Sequence, residues 1–171
     1  MSQLKTYLEE TLEAWEDARM GIIQEVKNVP EDKFEFRPTS EVRSVKELVV
    51  HILEVAMMMT GELTRQDTNF QRAPWPELLK MYASEAYHAE TKSEFINLLN
   101  SQLQYGEQKF REVGELHMLQ LIKRFDGQLG TRLAWLQHAI AQEMYHRGQL
   151  TLYQRLLGIE PALTSKIKMG T

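Results

Sequence analysis

The chain is predicted to be an all-α protein, a four-helix bundle, on three observations. Four long segments repeat apolar residues at intervals of three and four, the period of a helix with one buried face. Breaks between them carry proline, glycine and capping residues. No stretch shows a sustained two-residue alternation, so strand content should be close to none. With 171 residues, 43% of them hydrophobic, the chain fits a single domain, residues 1–171, around one core.

The first helix is expected from about Ser2, read as its N-cap, to about Lys27, with Leu4, Leu8, Leu12, Trp15, Ile22 and Val26 on one face and Pro30 closing it. A polar stretch containing Pro38 follows. Ser44-Val45-Lys46-Glu47 then has the spacing of a capping box, opening a second helix that continues to about Arg65 on the seam Val45, Leu48, Ile52, Val55 and Met59. Ala73-Pro74-Trp75-Pro76 reads as a rigid crossing, and Pro76 can start a short helix over Glu77 to Ala86. The third long helix begins after Thr91 or Ser93, where Thr91-Lys92-Ser93-Glu94 again suggests capping. It runs through Phe95, Leu98, Leu99, Leu103 and Phe110 to about Val113, with Gly114 as the stop. Leu116 to Phe125 fits neither period and is read as an extended or irregular connection, making it, with the Trp75 region, one of the bundle's two long crossings. After turns at Asp126-Gly127 and Gly130, the last helix spans about Thr131 to Leu157 and is ended by Gly158 and Pro161; the tail from Ser165 is expected to fray.

Composition excludes several functions. A net charge of −4 with both signs interspersed is not the concentrated Lys/Arg field a nucleic-acid binder needs, and no glycine-rich phosphate loop occurs. The N-terminus meets Glu9 and Glu10 before any apolar run, and the apolar stretch from Leu48 to Met59 is interrupted by His51 and Glu54. A cytoplasmic protein with no membrane partner is expected. There are no cysteines, so thiolate ligands and a cysteine nucleophile are excluded.

The chemistry concentrates in Gln142-Glu143-Met144-Tyr145-His146-Arg147-Gly148-Gln149-Leu150 and at His51. Leu136, Ala139, Glu143, His146, Leu150, Tyr153 and Leu157 form one seam, which turns Glu143 and His146 inward. Burying such groups unpartnered costs roughly 2–7 kcal/mol even when neutral, so each needs a partner. Gln142 borders the same seam, and His51, between Leu48 and Val55, also turns inward. Spacing alone favours hydrogen-bonded core histidines; two histidines from different helices around a cation, with an oxygen from Gln142 or Glu143, is the sharper reading. His138 reads as a packing or capping residue, and His88 and His117 as solvated connection residues. Met57-Met58-Met59 reads as core, as do Trp15, Trp75 and Trp135, which could also wall a pocket. Glu143 and His146 have the spacing of half a carboxylate-bridged two-metal site, but its second half is missing.

Phe36-Arg37-Pro38, Ser44-Val45-Lys46-Glu47-Leu48-Val49-Val50-His51, and Tyr145-His146-Arg147-Gly148-Gln149-Leu150 followed by Leu156-Leu157-Gly158-Ile159-Glu160-Pro161 resemble the recurring segments of the DinB-like (DinB/YfiT-like) superfamily of metal-dependent enzymes. The resemblance extends over nearly the whole chain, and the last segment is its most specific part. It implies up-down-down-up connectivity, a homodimer, and a divalent metal, zinc or nickel, held by three histidines. Carried over, the ligand positions fall on His51, Gln142 and His146, so this chain departs from the pattern by one glutamine, a poorer ligand than imidazole. Gln142 binding weakly, Glu143 swinging in, and a polar pocket without metal are the three alternatives. Thiol-dependent S-transferases and a related isomerase belong to the same superfamily, which implies a low-molecular-weight thiol as cofactor, with Arg147 adjoining the site in sequence. The alternative is a non-catalytic, metal-poor bundle that binds a small molecule or a partner. Leu133 and Trp135, apolar beyond the seam, are the residues expected to serve a dimer.

Overall fold

In the computed structural model, which describes residues 5–170, each long helix begins where a side-chain cap can satisfy its free amides. Helix α1 spans Tyr7–Asn28, with Thr6 accepting from the Glu9 amide. The expected cap at Ser2, and Leu4, lie outside the described residues. After a single 3-10 turn at Glu31–Lys33, α2 spans Val45–Leu63 behind a complete Ser44/Glu47 capping box. Two short helices follow rather than one, α3 (Trp75–Tyr82) and α4 (Ser84–His88). Helix α5 spans Lys92–Met118 behind a second capping box at Thr91/Glu94. Gly114, at φ +79°, interrupts it where the stop was expected, but one further turn forms beyond it.

The segment read as an irregular connection is a hairpin. Strands β1 (Leu121–Lys123) and β2 (Leu129–Thr131) pair antiparallel, Ile122 opposite Gly130, so the expectation of essentially no strand is off by this one element. Its single buried residue, Ile122, is too little apolar signal to read as a strand. Helix α6 spans Arg132–Leu156 from an N-cap at Thr131, and Gly158, at φ +74°, lets the chain reverse. The tail is not frayed: α7 (Ala162–Lys168) forms after Pro161, and the buried carboxylate of Glu25 accepts from the Ala162 and Leu163 amides at its start.

Inter-helix pairs fix the connectivity. Trp15 meets Glu143 and Glu25 meets Gln154, so α1 and α6 run parallel. Glu9 pairs with Arg111 and Arg19 reaches the Leu99 carbonyl, so α5 opposes α1. The Leu63 carbonyl accepts from Arg132 and the Arg43 carbonyl from Tyr153, so α2 opposes α6. The order is up-down-down-up, as the resemblance implied. Only the segment between α2 and α5 travels the length of the bundle; the α5–α6 link is a hairpin at one end.

Two apolar clusters are stacked along the axis. One holds Leu12, Trp15, Met58, Phe110 and Ala139; the other holds Ile22, Val26, Leu48, Ile52, Leu99 and Leu150. The Met57-Met58-Met59 run is core, as read. On α6, Glu143 and His146 fall between Ala139 of the first cluster and Leu150 of the second, so the inward polar groups form a layer between them.

Candidate metal centre between α2 and α6

Two buried demands meet in that layer. Glu143 is met from α1: Arg19 donates through Nε at 2.9 Å and through a second, shorter guanidinium contact, while Trp15 Nε1 donates at 2.7 Å. Arg19 and Glu143 are both buried, and the remaining Arg19 nitrogen donates to the Leu99 carbonyl at 3.0 Å. Glu143 is thus committed to α1 as part of a core ion pair. Arg19 escaped the sequence reading; its place four residues after Trp15 and three before Ile22 on the α1 seam marks an inward charge but does not say which residue it meets.

The histidines turn the other way. The rings of His51 and His146 lie with centroids 5.0 Å apart and planes at 85°. His51 Nδ1 lies 3.1 Å from Glu54 Oε2, and His146 Nδ1 lies 2.7 Å from Gln149 Oε1. An oxygen acceptor at each Nδ1 assigns the proton there and leaves Nε2 with its lone pair. Gln142 Nε2 sits 3.0 Å from His51 Nε2 and donates to it. Both anchors come from the same spacing, His51-x-x-Glu54 and His146-x-x-Gln149, one helical turn on. That repeated pattern was the sequence signal for the two anchoring residues.

Electrostatics keep these groups in the required states. Burial pushes His146 below its ordinary pKa, with the charges of His51 and Arg43 adding to this and Gln149 and Glu143 opposing it, so the neutral imidazole is favoured. The hydrogen bond from His51 holds the Glu54 carboxyl below the usual range against burial, and Tyr87 adds to it by donating to Glu54 Oε1 at 2.6 Å. The Tyr87 hydroxyl is pushed up to about 12 by burial and by that carboxylate, so it remains a donor at neutral pH.

The pair would offer two imidazole nitrogens to a divalent cation. Two neutral imidazoles, each oriented through Nδ1 by an oxygen, is the arrangement metal-binding histidines use. Gln142 adds an amide whose oxygen reaches the same space when the group is turned over. Among the described residues no cluster of three or more His, Asp, Glu or Cys side chains is arranged to hold a metal. Beside the pair opens a cavity of 760 Å³ whose lining includes Arg37, Arg43, Leu48, Glu54, Gln149 and Tyr153.

Other expected residues are placed elsewhere. Arg147 packs against α1, where a Cβ on Gly21 would lie 2.3 Å from its guanidinium carbon, so it does not adjoin the histidines in space. His117 is buried and bonded to the Leu63 carbonyl at 3.0 Å rather than solvated, because the extra turn of α5 beyond Gly114 carries it back against α2. His88 is exposed, as expected, and His138 rests against Trp135. Leu133 is buried, and Trp135 packs against Phe125 under the Arg124 guanidinium, so neither presents an outward apolar face.

The fold and this seam define a four-helix bundle of up-down-down-up order with a histidine site between its second and last long helices. The chain belongs to the DinB family, whose model matches residues 1–169. It is similar to a DinB-like protein of Bacillus subtilis, at 21% identity over 87% of this chain and 92% of that one, with a TM-score of 0.65. YfiT from Bacillus subtilis, a probable metal-dependent hydrolase with an unusual four-helix bundle topology, superposes with a TM-score of 0.70 at 14% identity, covering 94% and 93% of the two chains. A mycothiol-dependent maleylpyruvate isomerase matches 86% of this chain and 63% of its own, at 16% identity and a TM-score of 0.66. A comparison with curated proteins finds no significant match. None of the described helices is long and apolar enough to cross a membrane.

Proposed function

We propose that this chain is a divalent-metal-dependent enzyme of the DinB type, with zinc or nickel held by His51, Gln142 and His146. The finer form of the proposal is a thiol-dependent S-transferase-like reaction with a low-molecular-weight thiol. The observation that carries it is the pair of anchored histidines: Glu54 and Gln149 each occupy an Nδ1, which leaves Nε2 as the donor atom of each ring, that of His51 now taken by the Gln142 amide. A cation bound there supplies a lowered pKa to a thiol or water at its open position. The metal-dependent and mycothiol-dependent neighbours support the same direction. With no cysteine in the chain, a reacting thiol has to arrive with the ligand. The chain's own part is to favour the neutral form of His146, orient both imidazoles and offer a shaped cavity. A homodimer in the cytoplasm completes the proposal; exposed Tyr145, Leu152 and Leu156 on α6 are the apolar residues available to the dimer.

A specific observation favours a second reading, a binding bundle without chemistry. Gln142 already satisfies the lone pair of His51, so the pocket is polar and partnered with no cation. Elemental mass spectrometry on protein purified without tag or chelator, followed by zinc and nickel titration, separates the two. Near-stoichiometric metal that disappears in His51→Ala and His146→Ala is the expected result. Metal-free protein that also fails to bind either added ion would overturn the enzyme reading and leave the second.

A further inference from the structure

We propose that Arg43 is the anion-recognition residue of the cavity beside the histidines, and that the small molecule entering there carries a single carboxylate. The inference deepens the metal-enzyme reading, because the cavity is lined by Glu54 and Gln149, the residues that anchor His51 and His146, but it rests on different atoms.

The charged groups of the lining are already committed, with one exception. Arg37 donates to Glu47 at 2.8 Å, and Glu47 also caps α2 by accepting from the Ser44 amide at 2.7 Å. Glu54 is held between His51 and Tyr87, and Glu41 accepts from the Ser40 hydroxyl at 3.1 Å. Arg43 lines the same cavity, yet its guanidinium makes no hydrogen bond or ion pair to any described residue. Its backbone is anchored, and its side chain is exposed at the cavity mouth. The Arg43 carbonyl accepts from the Tyr153 hydroxyl at 3.0 Å, pinning the loop to α6. Arg43 lines the cavity together with Glu47, Leu48 and Glu54 of α2 and Gln149 and Tyr153 of α6, so it borders the gap between those helices.

A free guanidinium held at the mouth of a cavity matches a carboxylate or a phosphate, with which it can form two parallel hydrogen bonds. The three glutamates in the lining decide between these. Against the two arginines of the lining they leave an excess of negative charge, which disfavours a multiply charged phosphate more than a monoanion that Arg43 can neutralise. Leu48 and Val42 supply apolar wall for the remainder of a small ligand.

The test compares N-acetylcysteine, which carries one carboxylate, with N-acetylcysteine amide, which keeps the thiol and lacks the charge, and with inorganic phosphate. Binding is followed by chemical-shift titration with and without added zinc, in the full chain and in Arg43→Gln and Arg43→Lys. A charge-assisted pair makes the full chain prefer the carboxylate by about tenfold. Arg43→Gln removes that preference, so that the two thiols bind equally, and Arg43→Lys retains part of it. Equal binding of the two thiols by the full chain, a preference that survives Arg43→Gln, tighter binding of phosphate, or no binding of either thiol overturns the proposal. Retained carboxylate preference in protein that does not bind zinc instead overturns the metal reading and leaves Arg43 in its role.

Discussion

The Gln142 amide donates across 3.0 Å to Nε2 of His51, the nitrogen that faces the candidate metal position, and so links α6 to α2 at that point. With its nitrogen toward His51 the amide occupies that lone pair, and a cation there would require it to turn its oxygen inward. Binding a cation therefore breaks an existing hydrogen bond and gains a neutral amide ligand, a weaker exchange than an imidazole would give.

Replacing that amide tests the arrangement directly. Gln142→His should raise zinc affinity by about 100-fold, because an imidazole nitrogen supplants both the weak ligand and the competing donor. Competition against a chromogenic chelator reads the change. An affinity equal to that of the unsubstituted chain would remove Gln142 from the ligand set.

Glu54 supports the site through His51 rather than by touching a ligand. Glu54→Gln keeps an oxygen for the Nδ1 proton but loses the charge that strengthens the imidazole as a donor, so zinc affinity should fall by about 10- to 100-fold. The thermal midpoint should shift little, because the group is only partly buried and Tyr87 still finds an acceptor. Unchanged zinc affinity would show that the His51–Glu54 contact is a local helix pair only.

His146 separates a functional from a structural role. Its ring is buried, but the apolar clusters on either side are complete without it. His146→Ala should abolish zinc binding and cost about 1–3 kcal/mol, with far-UV circular dichroism unchanged. Collapse of the helical signal would make the histidine a core residue first.

The sequence carried the helices because capping and periodicity agree locally: Ser44 with Glu47, Thr91 with Glu94, and the α6 seam from Leu136 to Tyr153 all appear as read. It carried less where a contact is made across the bundle. Nothing local in Leu121–Lys123 distinguishes a strand whose partner lies beyond a turn, and nothing near Gly114 indicates that a further turn would bury His117 against the Leu63 carbonyl. In the site, the inward direction of His51, Glu143 and His146 followed from spacing, but their partners did not. Glu143 is satisfied by Arg19, 124 residues away, and Arg147, adjacent in sequence to His146, faces α1 because neighbours on a helix point about 100° apart.

The Arg19–Glu143 pair should be among the most sensitive points of the core. Arg19→Met leaves a buried carboxylate with only Trp15 as donor, and about 3–5 kcal/mol of stability should be lost in urea unfolding. The double variant Arg19→Met with Glu143→Leu removes both charges and should recover most of that loss. Recovery is the discriminating result, since a pair that merely filled space would give additive losses.

A second buried carboxylate gives the chain an acid-dependent stability. Glu62, near the C-terminal end of α2, has a fully buried side chain. Burial pushes its pKa upward, but Arg72, whose Nε lies 3.1 Å from both oxygens, Tyr82 donating at 2.6 Å, and Arg65 at 3.0 Å together hold it below the ordinary glutamate value. The unfolded chain therefore binds the proton at higher pH than the folded chain does. The stabilisation from Glu62 is full above its unfolded pKa of about 4.3 and is lost as pH falls through the lower folded value. Glu62→Gln should be less stable than the unsubstituted chain by about 1–3 kcal/mol at pH 7, and the gap should narrow below about pH 4 as the native carboxylate takes up its proton. Urea midpoints for the two proteins at pH 7, 5, 4 and 3 measure the convergence. A gap that stays constant across that range would mean that Glu62 contributes through packing and hydrogen-bond shape, with its charge playing no part.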